Sequence, residues 1–377
     1  MKIVRIAATE VIVPARPGAI NSASLQRPLH KLALGARAGW SVQFDEVPKL
    51  ILQMSLDNGI VALGECYRGH DWNTIQSICQ VLLGQSLDTI NRRQLPIAWC
   101  REYDGFECAV WDGYAKTLGV RVVDLLGGPV RDKVLVGAWS GHRTLDEIGT
   151  LAQQFAEQGY TCIKFKCDLE DDVSGWCQEI ARTAPNMQVI LDPNERWEHP
   201  YEAKKRIDAL AQVGNVLCLE DPIPRWMIHE YVALRRYSVI PIVLHVSLPY
   251  LQHGQRIQDA ITALRQDAVD GFNFNAGLAK FQQLDQIADA AQVPCWHGSE
   301  VDLGILEALY VHSCAAAPSC VWPSDIFGRL IREHDLLQTP LEFTPPFVHL
   351  PREPGLGVEL DFDAVERYKT RHEEYHL

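Results

Sequence analysis

Short apolar runs alternate with amphipathic stretches from about residue 134 onward, at intervals of 22 to 30 residues. The runs are VLVGAWS, TCIKFK, QVILDPN, VLCLEDP, IPIVLHV, GFNFNA, VPCWHG and SCVWPSD, and the stretches between them include DDVSGWCQEIARTA and YEAKKRIDALAQVG. Eight buried strands that alternate with helices predict either a parallel barrel or an open doubly wound sheet. The count of eight favours the barrel, and no GxGxxG follows a strand to favour a dinucleotide-binding sheet.

The first 130 residues have a different, mixed pattern. ATEVIVPA and PKLILQMSL predict strands, DNG at 57–59 predicts a hairpin turn, and helical patterns cover 71–84 and 100–118. Residues 15–41 show no clear period, which predicts a long loop of the functional or disordered kind. Further on, PREPGLGVELDFDAV predicts a turn and a last strand that returns to this first region.

Composition and charge exclude several classes of protein. The chain has 377 residues, 47% of them hydrophobic and 22% charged, which is typical of a soluble globular protein. A formal net charge of −13 argues against a nucleic-acid surface or an anionic membrane as partner. No apolar run is long enough for a membrane span, and the first residues lack a signal-peptide pattern. The 11 cysteines contain no CxxC pair, so we expect apolar fillers in a reducing cytoplasm.

Polar residues stand at the ends of the predicted strands. In chain order they are Lys164 and Lys166, Asp192 and Asn194, Glu220 and Asp221, His245, Asn275, His297 and Asp325. In a parallel barrel the carboxyl ends of all strands converge on one mouth, where active sites lie. Two carboxylates and an imidazole on neighbouring strands form a set that can bind one divalent metal ion.

The two lysines of CIKFKCD lie two residues apart on one strand, so their side chains share a face. Apolar neighbours indicate burial, and we expect mutual repulsion and burial to lower the pKa of at least one lysine, which makes it a usable base. Taken alone, each feature has a simpler interpretation: a solvated strand end for KxK, a turn for Asp-x-Asn, a core residue for a histidine. The regular spacing of all of them favours a functional site.

In its motifs the sequence resembles the enolase superfamily, in the mandelate racemase and muconate lactonizing enzyme-like branch. WDGYAKTLGVRVVDLLGG resembles the end of that family's capping domain, KFK its KxK motif, LDPN and LEDP its first two metal-ligand motifs, and PREPGLGVELD its C-terminal return. The match covers nearly the whole chain. It implies an α/β fold with a modified TIM (β/α)8-type barrel at 131–345, an α+β capping domain at 1–130, and a segment at 346–377 that returns to the cap.

The resemblance also implies Mg²⁺ chemistry on a small carboxylate. The cation and a lysine hold the substrate carboxylate, a base removes the α-proton, and the positive charge stabilises the enediolate. By position, it implies Lys166 as the base, Lys164 as the cation beside the substrate carboxylate, Asp192 and Glu220 as metal ligands, Asn194 and Asp221 as supporting residues, and His297 as a second acid or base.

Two positions depart from the family pattern. The third metal ligand is normally Glu or Asp, and here it is His245, a poorer partner for Mg²⁺. The site therefore tolerates one fewer negative charge, prefers Mn²⁺ or Zn²⁺, or binds metal weakly, unless His245 is itself an acid or base. The partner of the racemase-type histidine is normally Asp, and Asn275 takes that position; muconate-type members carry a lysine there, which this chain lacks.

Several other polar residues are candidates for the same mouth. Asp302 and Asp325 fall where some relatives keep carboxylates, although a helix cap and a loop salt bridge are equal alternatives. The remaining candidates are Glu300 after the seventh strand, His142 and Arg143 after the first, and Arg16, Arg27, His30 and Arg37 in the long loop.

The sequence thus predicts a metal-dependent lyase or isomerase that abstracts the α-proton of a small carboxylate. An acid-sugar or hydroxy-acid dehydratase, or a racemase or epimerase, is the first hypothesis, because the mouth collects many polar groups. The alternatives are a muconate-type cycloisomerase and a non-catalytic relative that has lost its metal. We further expect a homo-oligomer, as is common among such relatives, with no nucleic-acid or membrane partner.

Overall fold

The protein is described by a computed structural model over residues 1–25, 30–31, 41–42, 46–247 and 257–377. Its strands are β1 (Ile3–Ile12), β2 (His30–Lys31), β3 (Ser41–Val42), β4 (Pro48–Leu56), β5 (Val61–Cys66), β6 (Lys133–Leu135), β7 (Ala138–Ser140), β8 (Cys162–Lys166), β9 (Gln188–Asp192), β10 (Val216–Glu220), β11 (Ile242–Ser247), β12 (Gly271–Asn275), β13 (Cys295–His297), β14 (Phe343–Thr344), β15 (Phe347–His349) and β16 (Lys369–His376).

Eleven α-helices lie within the described residues. They are α1 (Trp72–Leu82), α2 (Tyr103–Leu118), α3 (Leu145–Glu157), α4 (Val173–Thr183), α5 (Pro200–Ala211), α6 (Ile228–Tyr237), α7 (Ile257–Arg265), α8 (Leu278–Ala290), α9 (Gly304–Ala316), α10 (Gly328–Ile331) and α11 (Phe362–Tyr368), with a 3-10 helix at Val122–Leu126. None of these helices is both long enough and apolar enough to cross a bilayer.

The N-terminal region folds as a four-stranded antiparallel sheet with two helices, as the mixed pattern predicts. The strand order is β16-β1-β4-β5, so the last strand of the chain hydrogen-bonds to the first. The hairpin between β4 and β5 turns at Asp57–Gly59, where Gly59 has a φ of 85°, a conformation that glycine adopts without steric cost. Helix α1 begins after Asp71, whose carboxylate accepts the amide N–H of Thr74.

The larger region is a curled sheet of seven parallel strands in the order β13-β12-β11-β10-β9-β8-β7. Helices follow most of its strands, and their apolar faces form one continuous core with the outer face of the sheet. Inside the curl, a small apolar layer of Cys162, Ile190, Cys218, Val243 and Trp296 fills the space beneath the strand ends. This arrangement confirms the predicted barrel with an α+β cap, while the exact boundaries 130 and 345 stay a prediction.

The predicted eighth strand, SCVWPSD, differs from the expectation. Within the described residues it makes only isolated parallel bridges, Cys295 with Cys320 and Val136 with Ser324. Pro323 has no N–H to donate to a ladder, which explains why the run does not extend a regular strand. The segment still lies between β13 and β7 and hydrogen-bonds to both sides, through Trp322 N–H to the carbonyl oxygen of Cys295 at 3.3 Å and Ser324 N–H to that of Leu135 at 2.9 Å, so it fills the position of an eighth strand without a continuous ladder.

A carboxylate of the cap holds the amino end of one barrel helix, α9. Glu65 at the end of β5 accepts the N–H groups of Leu303 (2.8 Å) and Leu306 (3.0 Å), at the start of α9. Lys49 on β4 forms an ion pair with Glu65 at 3.2 Å and contacts Asp302, and all three side chains are buried. These contacts fix the cap over the barrel mouth.

Candidate functional site

Five neighbouring side chains meet at the carboxyl ends of four adjacent strands. They are Lys164 and Lys166 on β8, Asp192 on β9, Glu220 on β10 and His245 on β11. The parallel register pairs Lys166 with Asp192, and the alternation of side chains along each strand turns all five toward the interior of the curl. The structure therefore brings together both predicted lysines and all three predicted metal ligands.

Lys164 is a buried ammonium among three carboxylates. Its Nζ lies 2.6 Å from Glu220 Oε2, 2.8 Å from Asp325 Oδ2 and 3.2 Å from Asp192 Oδ2. Burial by itself lowers the pKa of Lys164, but the three carboxylates, Asp325 foremost, raise this pKa well above its usual value. This is the opposite of the direction expected for a repelled lysine, because the neighbouring acids outweigh the second lysine.

Lys166 has different surroundings and lies nearer the solvent edge. Its Nζ donates to Asp192 Oδ2 at 2.5 Å and to Asn194 Oδ1 at 2.7 Å. Asn194 has a φ of 46°, and its N–H donates to Asp192 Oδ1 at 3.0 Å, so a tight turn after β9 holds the amide beside the amine. Asn194 therefore touches the predicted base directly.

The two carboxylates of the site differ in their pKa. Burial raises the pKa of Asp192, but Lys166 and Lys164 more than compensate and hold it well below its usual range. Burial, with the charge of Asp192, raises the pKa of Glu220 to about 8. A cation between them would favour the ionised form of both.

His245 is a neutral imidazole at the edge of this cluster. Its Nδ1 lies 3.4 Å from Glu220 Oε1, and neither ring nitrogen forms a hydrogen bond to another described residue. Burial, Arg225 and Lys164 lower the pKa of His245 well below its usual value. Ligand atoms of Glu220, Asp221 and His245 lie within 4.8 Å of one another. This group contains Asp221, which other contacts engage, in place of the predicted ligand Asp192. A carboxylate next to an imidazole with open nitrogens fits a divalent metal ion.

Asp221 positions the backbone of the neighbouring strand. Its Oδ1 accepts the backbone N–H of His245 at 2.9 Å, and its Oδ2 accepts Arg225 Nε at 2.6 Å. Burial raises the pKa of Asp221 to about 6. Its carboxylate thus fixes the end of β11, and with it the place of the His245 ring.

His297 lies outside the mouth, which differs from the predicted position. Its ring stacks on Tyr310 of α9, with centroids 3.9 Å apart, and on Phe281 of α8 at 4.5 Å. The reason is strand alternation, because Trp296 takes the inward position on β13, 5.6 Å from Lys164 Nζ. The structure does not bring His297 together with the lysines, and burial lowers its pKa.

Asn275 and Asn273 take the inward positions on β12. Asn275 is buried and accepts the hydroxyl of Tyr67 at 3.4 Å, a contact with the cap. Asn273 Nδ2 donates to Glu220 Oε1 at 2.7 Å, so it touches a predicted metal ligand. Sequence reasoning missed Asn273, although the alternation in GFNFN places it on the face of Asn275. Gly298 provides the space for the Asn273 side chain, because a Cβ at position 298 would clash with Asn273 Oδ1.

The other candidate carboxylates have structural partners. Asp325 pairs with Lys164 and so belongs to the site. Asp302 contacts Lys49 and accepts the hydroxyl of Tyr310 at 2.7 Å, and it does not cap α9, because Leu303 takes that position. Glu300 forms an ion pair with Arg68 of the cap at 2.8 Å.

The residues after the first barrel strand hold the chain segment that follows β1. Arg143 Nη2 donates to the carbonyl oxygens of Ala19 (3.0 Å) and Ile20 (3.3 Å). His142 Nδ1 lies 2.7 Å from Asp171 Oδ2, and with Asp168 these residues form a second group of ligand atoms within 4.8 Å. Arg16 is exposed, while Arg27, Arg37 and the side chain of His30 lie outside the described residues.

The sequence is similar to one family model and to several known enzymes. A family model described as enolase C-terminal domain-like matches residues 147–365. Muconate cycloisomerase 1 of Rhodococcus opacus is 29% identical over 329 residues, which cover 82% of this chain and 86% of that protein. The o-succinylbenzoate synthase of Bacillus subtilis (strain 168) is 26% identical over 274 residues, 71% of this chain and 70% of that protein.

Solved structures share the whole architecture. An N-succinyl Arg/Lys racemase from Bacillus cereus superimposes with a TM-score of 0.83 at 18% identity, over 100% of both chains. The muconate lactonizing enzyme from Pseudomonas putida superimposes with a TM-score of 0.79 at 22% identity, over 98% of this chain and 100% of that one. At these identities the likeness concerns the fold.

Proposed function

This chain belongs to the enolase C-terminal domain-like family, in the mandelate racemase and muconate lactonizing enzyme branch, and from that premise we propose that it abstracts the α-proton of a small carboxylate with the help of a divalent cation. The observation that carries the proposal is the pair Lys164 and Lys166 set against Asp192 and Glu220 at one mouth. The homologues of the chain are enzymes, a cycloisomerase and a synthase among them.

In the proposed site Asp192, Glu220 and His245 hold the cation, for which the family resemblance implies Mg²⁺ and the imidazole argues for Mn²⁺ or another ion. A divalent cation supplies positive charge that stabilises the second negative charge of the enediolate. Lys164, a cation on the interior side, holds one oxygen of the substrate carboxylate. Lys166, on the solvent side, removes the α-proton, and Asn194 orients its amine.

A dehydratase of an acid sugar or hydroxy acid fits these residues better than a racemase. Racemisation by two bases needs a second proton acceptor on the opposite face of the substrate. Among the described residues, that side of the mouth carries Asn273, Asn275 and Gly298, and His297 faces away. Syn elimination needs only Lys166: its amine takes the α-proton, and the resulting ammonium returns that proton to the β-hydroxyl as the C–O bond breaks and water leaves.

A muconate-type cycloisomerase is the second candidate, and the relatives named above favour it. Such a reaction uses the same proton transfer in the opposite direction, with the ammonium of Lys166 as the donor to the α-carbon. Asn273 and Asn275, where muconate-type members carry a lysine, disfavour it. A non-catalytic relative without metal remains the rival from another class.

The first test is exchange of the α-hydrogen with solvent. A library of small carboxylates in deuterium oxide, with Mg²⁺ or Mn²⁺ added, is followed by NMR with the wild type, Lys166→Met and the surface control Lys205→Met. We expect the wild type and the control to label one face of the α-carbon, and Lys166→Met to lose labelling by at least about a hundredfold. Unchanged labelling in Lys166→Met would remove Lys166 as the base.

Metal binding separates the enzyme from the non-catalytic rival. We expect one divalent ion per chain in the wild type and none in Asp192→Asn, measured by equilibrium dialysis and elemental analysis.

Assembly into a homo-oligomer and a cytoplasmic location also stay predictions. Light scattering tests the oligomeric state.

A further inference from the structure

The backbone of His245 is held in place, and its ring lies next to a carboxylate with open ring nitrogens. Its Nδ1 lies 3.4 Å from Glu220 Oε1, its side chain is 10% exposed, and neither nitrogen forms a hydrogen bond to a described residue. A buried polar group without a partner costs free energy unless a ligand satisfies it. The ring therefore points to a group that binds between His245 and Glu220.

Hydrogen bonds fix both the backbone of His245 and the carboxylate of Glu220 beside its ring. Asp221 accepts the N–H of His245, and Arg225 Nε and the hydroxyl of Tyr231 hold that carboxylate at 2.6 Å and 3.4 Å. Asn273 holds Glu220 Oε1 from the other side at 2.7 Å. An imidazole and a carboxylate fixed in this way form a preorganised pair of nitrogen and oxygen ligands.

The chemistry of such a pair differs from that of a carboxylate trio. Mg²⁺ prefers oxygen ligands and gains little from a neutral imidazole, whereas first-row transition ions bind imidazole nitrogen well. With Asp192 and Glu220 as its anionic ligands, the set carries two negative charges instead of three, which weakens its hold on a hard ion further.

We propose that His245 makes this site selective for a first-row transition ion, such as Co²⁺, Zn²⁺ or Mn²⁺, over Mg²⁺. The inference rests on the proposed function, because it places the cation at the same three residues. It goes further by naming the residue that sets the choice of ion. A carboxylate at position 245 would restore the preference for Mg²⁺.

The experiment compares the wild type with His245→Asp. Dissociation constants for Mg²⁺ and Co²⁺ are measured by calorimetry on the metal-free protein. We expect the ratio of the Mg²⁺ constant to the Co²⁺ constant to fall by at least about tenfold in His245→Asp. An equal ratio in both proteins overturns the proposal.

A spectroscopic measurement on the wild type decides the same point if His245→Asp does not fold. Bound Mn²⁺ is examined by electron spin echo envelope modulation, which detects a directly bound nitrogen. Nitrogen modulation in the wild type, and its absence in His245→Gln, supports the proposal. Bound Mn²⁺ without nitrogen modulation overturns it.

The outcomes separate this inference from the proposed function. Ion binding with no selectivity, together with α-hydrogen exchange, overturns the inference and leaves the proposed function standing. Selective ion binding without exchange of any tested carboxylate supports the inference and counts against the proposed function. No binding of Mg²⁺, Co²⁺ or Mn²⁺ overturns both.

Discussion

At the scale of single residues, the two lysines of one strand differ because they face different partners. Lys164 is enclosed by Asp192, Glu220 and Asp325, so three acids keep its charge in place. Lys166 has one acid and one amide as partners and lies closer to solvent. A fixed interior cation and an outer amine suit two separate roles, the holding of a substrate carboxylate and the transfer of a proton.

His312 is a residue whose charge decides part of the stability at low pH. Its Nδ1 accepts the N–H of Val123 at 3.2 Å, so the proton is on Nε2, which donates to the carbonyl oxygen of Leu356 at 3.1 Å. Burial lowers the pKa of His312 from 6.5 to about 4. Protonation would leave Nδ1 unable to accept the N–H of Val123.

We therefore predict that the free energy of unfolding falls as the pH falls from 6.5 to 4, because the unfolded chain binds more protons at His312 in that window. The pKa difference corresponds to about 3 kcal/mol. In His312→Asn this part of the decline should be absent, whereas the exposed control His229→Asn should keep it. Urea unfolding at several pH values measures it, and parallel curves for all three proteins would contradict the assignment.

At the scale of elements, the cap and the barrel are joined at helix ends. Glu65 occupies the amino end of α9, and Asp104 and Glu107 of α2 lie beside Gly277 at the start of α8. Burial raises the pKa of Asp104 to about 6. The first N–H groups of a helix have no partner within the helix, and a carboxylate there accepts their hydrogen bonds. Its negative charge also interacts favourably with the helix dipole, so each contact stabilises both the helix and the junction.

The change Glu65→Gln tests this junction. It keeps the shape but replaces one acceptor with an NH₂ group next to an N–H donor, and it removes one of the two acids that pair with Lys49. We predict a loss of about 1–3 kcal/mol in the free energy of unfolding. The control Asp71→Asn replaces one good cap of α1 with another and should change little. Guanidinium unfolding of both variants is the measurement. Equal stability of Glu65→Gln and the wild type would show that the Glu65 contacts do not stabilise the protein.

The sequence predicts elements well where one signal dominates, and less well where side chains alternate at a strand end. The apolar runs locate the seven barrel strands, and Asp71 marks the start of α1, because burial and capping are local properties. His297 ends its apolar run, which predicts a place at the mouth, but Trp296 is the bulkier apolar residue and fills the interior. Asn273 and Asn275 both face inward, but only Asn275 stands at the end of the strand, where the pattern predicts site residues. The contacts of Asp302 and Glu300 with Lys49 and Arg68 join residues far apart in the chain, which no local pattern encodes.

At the scale of the whole molecule, the chain closes on itself through the cap sheet. β16 pairs with β1 from Arg5–His376 to Val11–Lys369, and Tyr375 packs against the apolar core of the cap. The last strand therefore belongs physically to the first region, while the bounds 346–377 of the returning segment stay a prediction. The helix α11 before it contacts β1 as well.

Removal of β16 should affect the cap more than the barrel. We predict that a chain ending at Tyr368 loses at least about 2 kcal/mol of the free energy of unfolding, because β1 loses its hydrogen bonds to β16 and keeps only those to β4. Hydrogen exchange followed by mass spectrometry should show faster exchange in β1 and β4 and little change in β8 to β10. Addition of a peptide with the sequence of residues 369–377 should slow that exchange again. Unchanged protection of β1 would show that the segment contributes no structural support.

The segment in the eighth-strand position is hydrogen-bonded to both of its neighbours. Trp322 N–H donates to the carbonyl oxygen of Cys295 at 3.3 Å, and Ser324 N–H donates to that of Leu135 at 2.9 Å. Asp325 is fixed in the same way, because its N–H donates to the carbonyl oxygen of His297 at 2.8 Å, and its carboxylate pairs with Lys164. The backbone that closes the barrel wall therefore also sets the position of an acid that balances the charge at the barrel's centre.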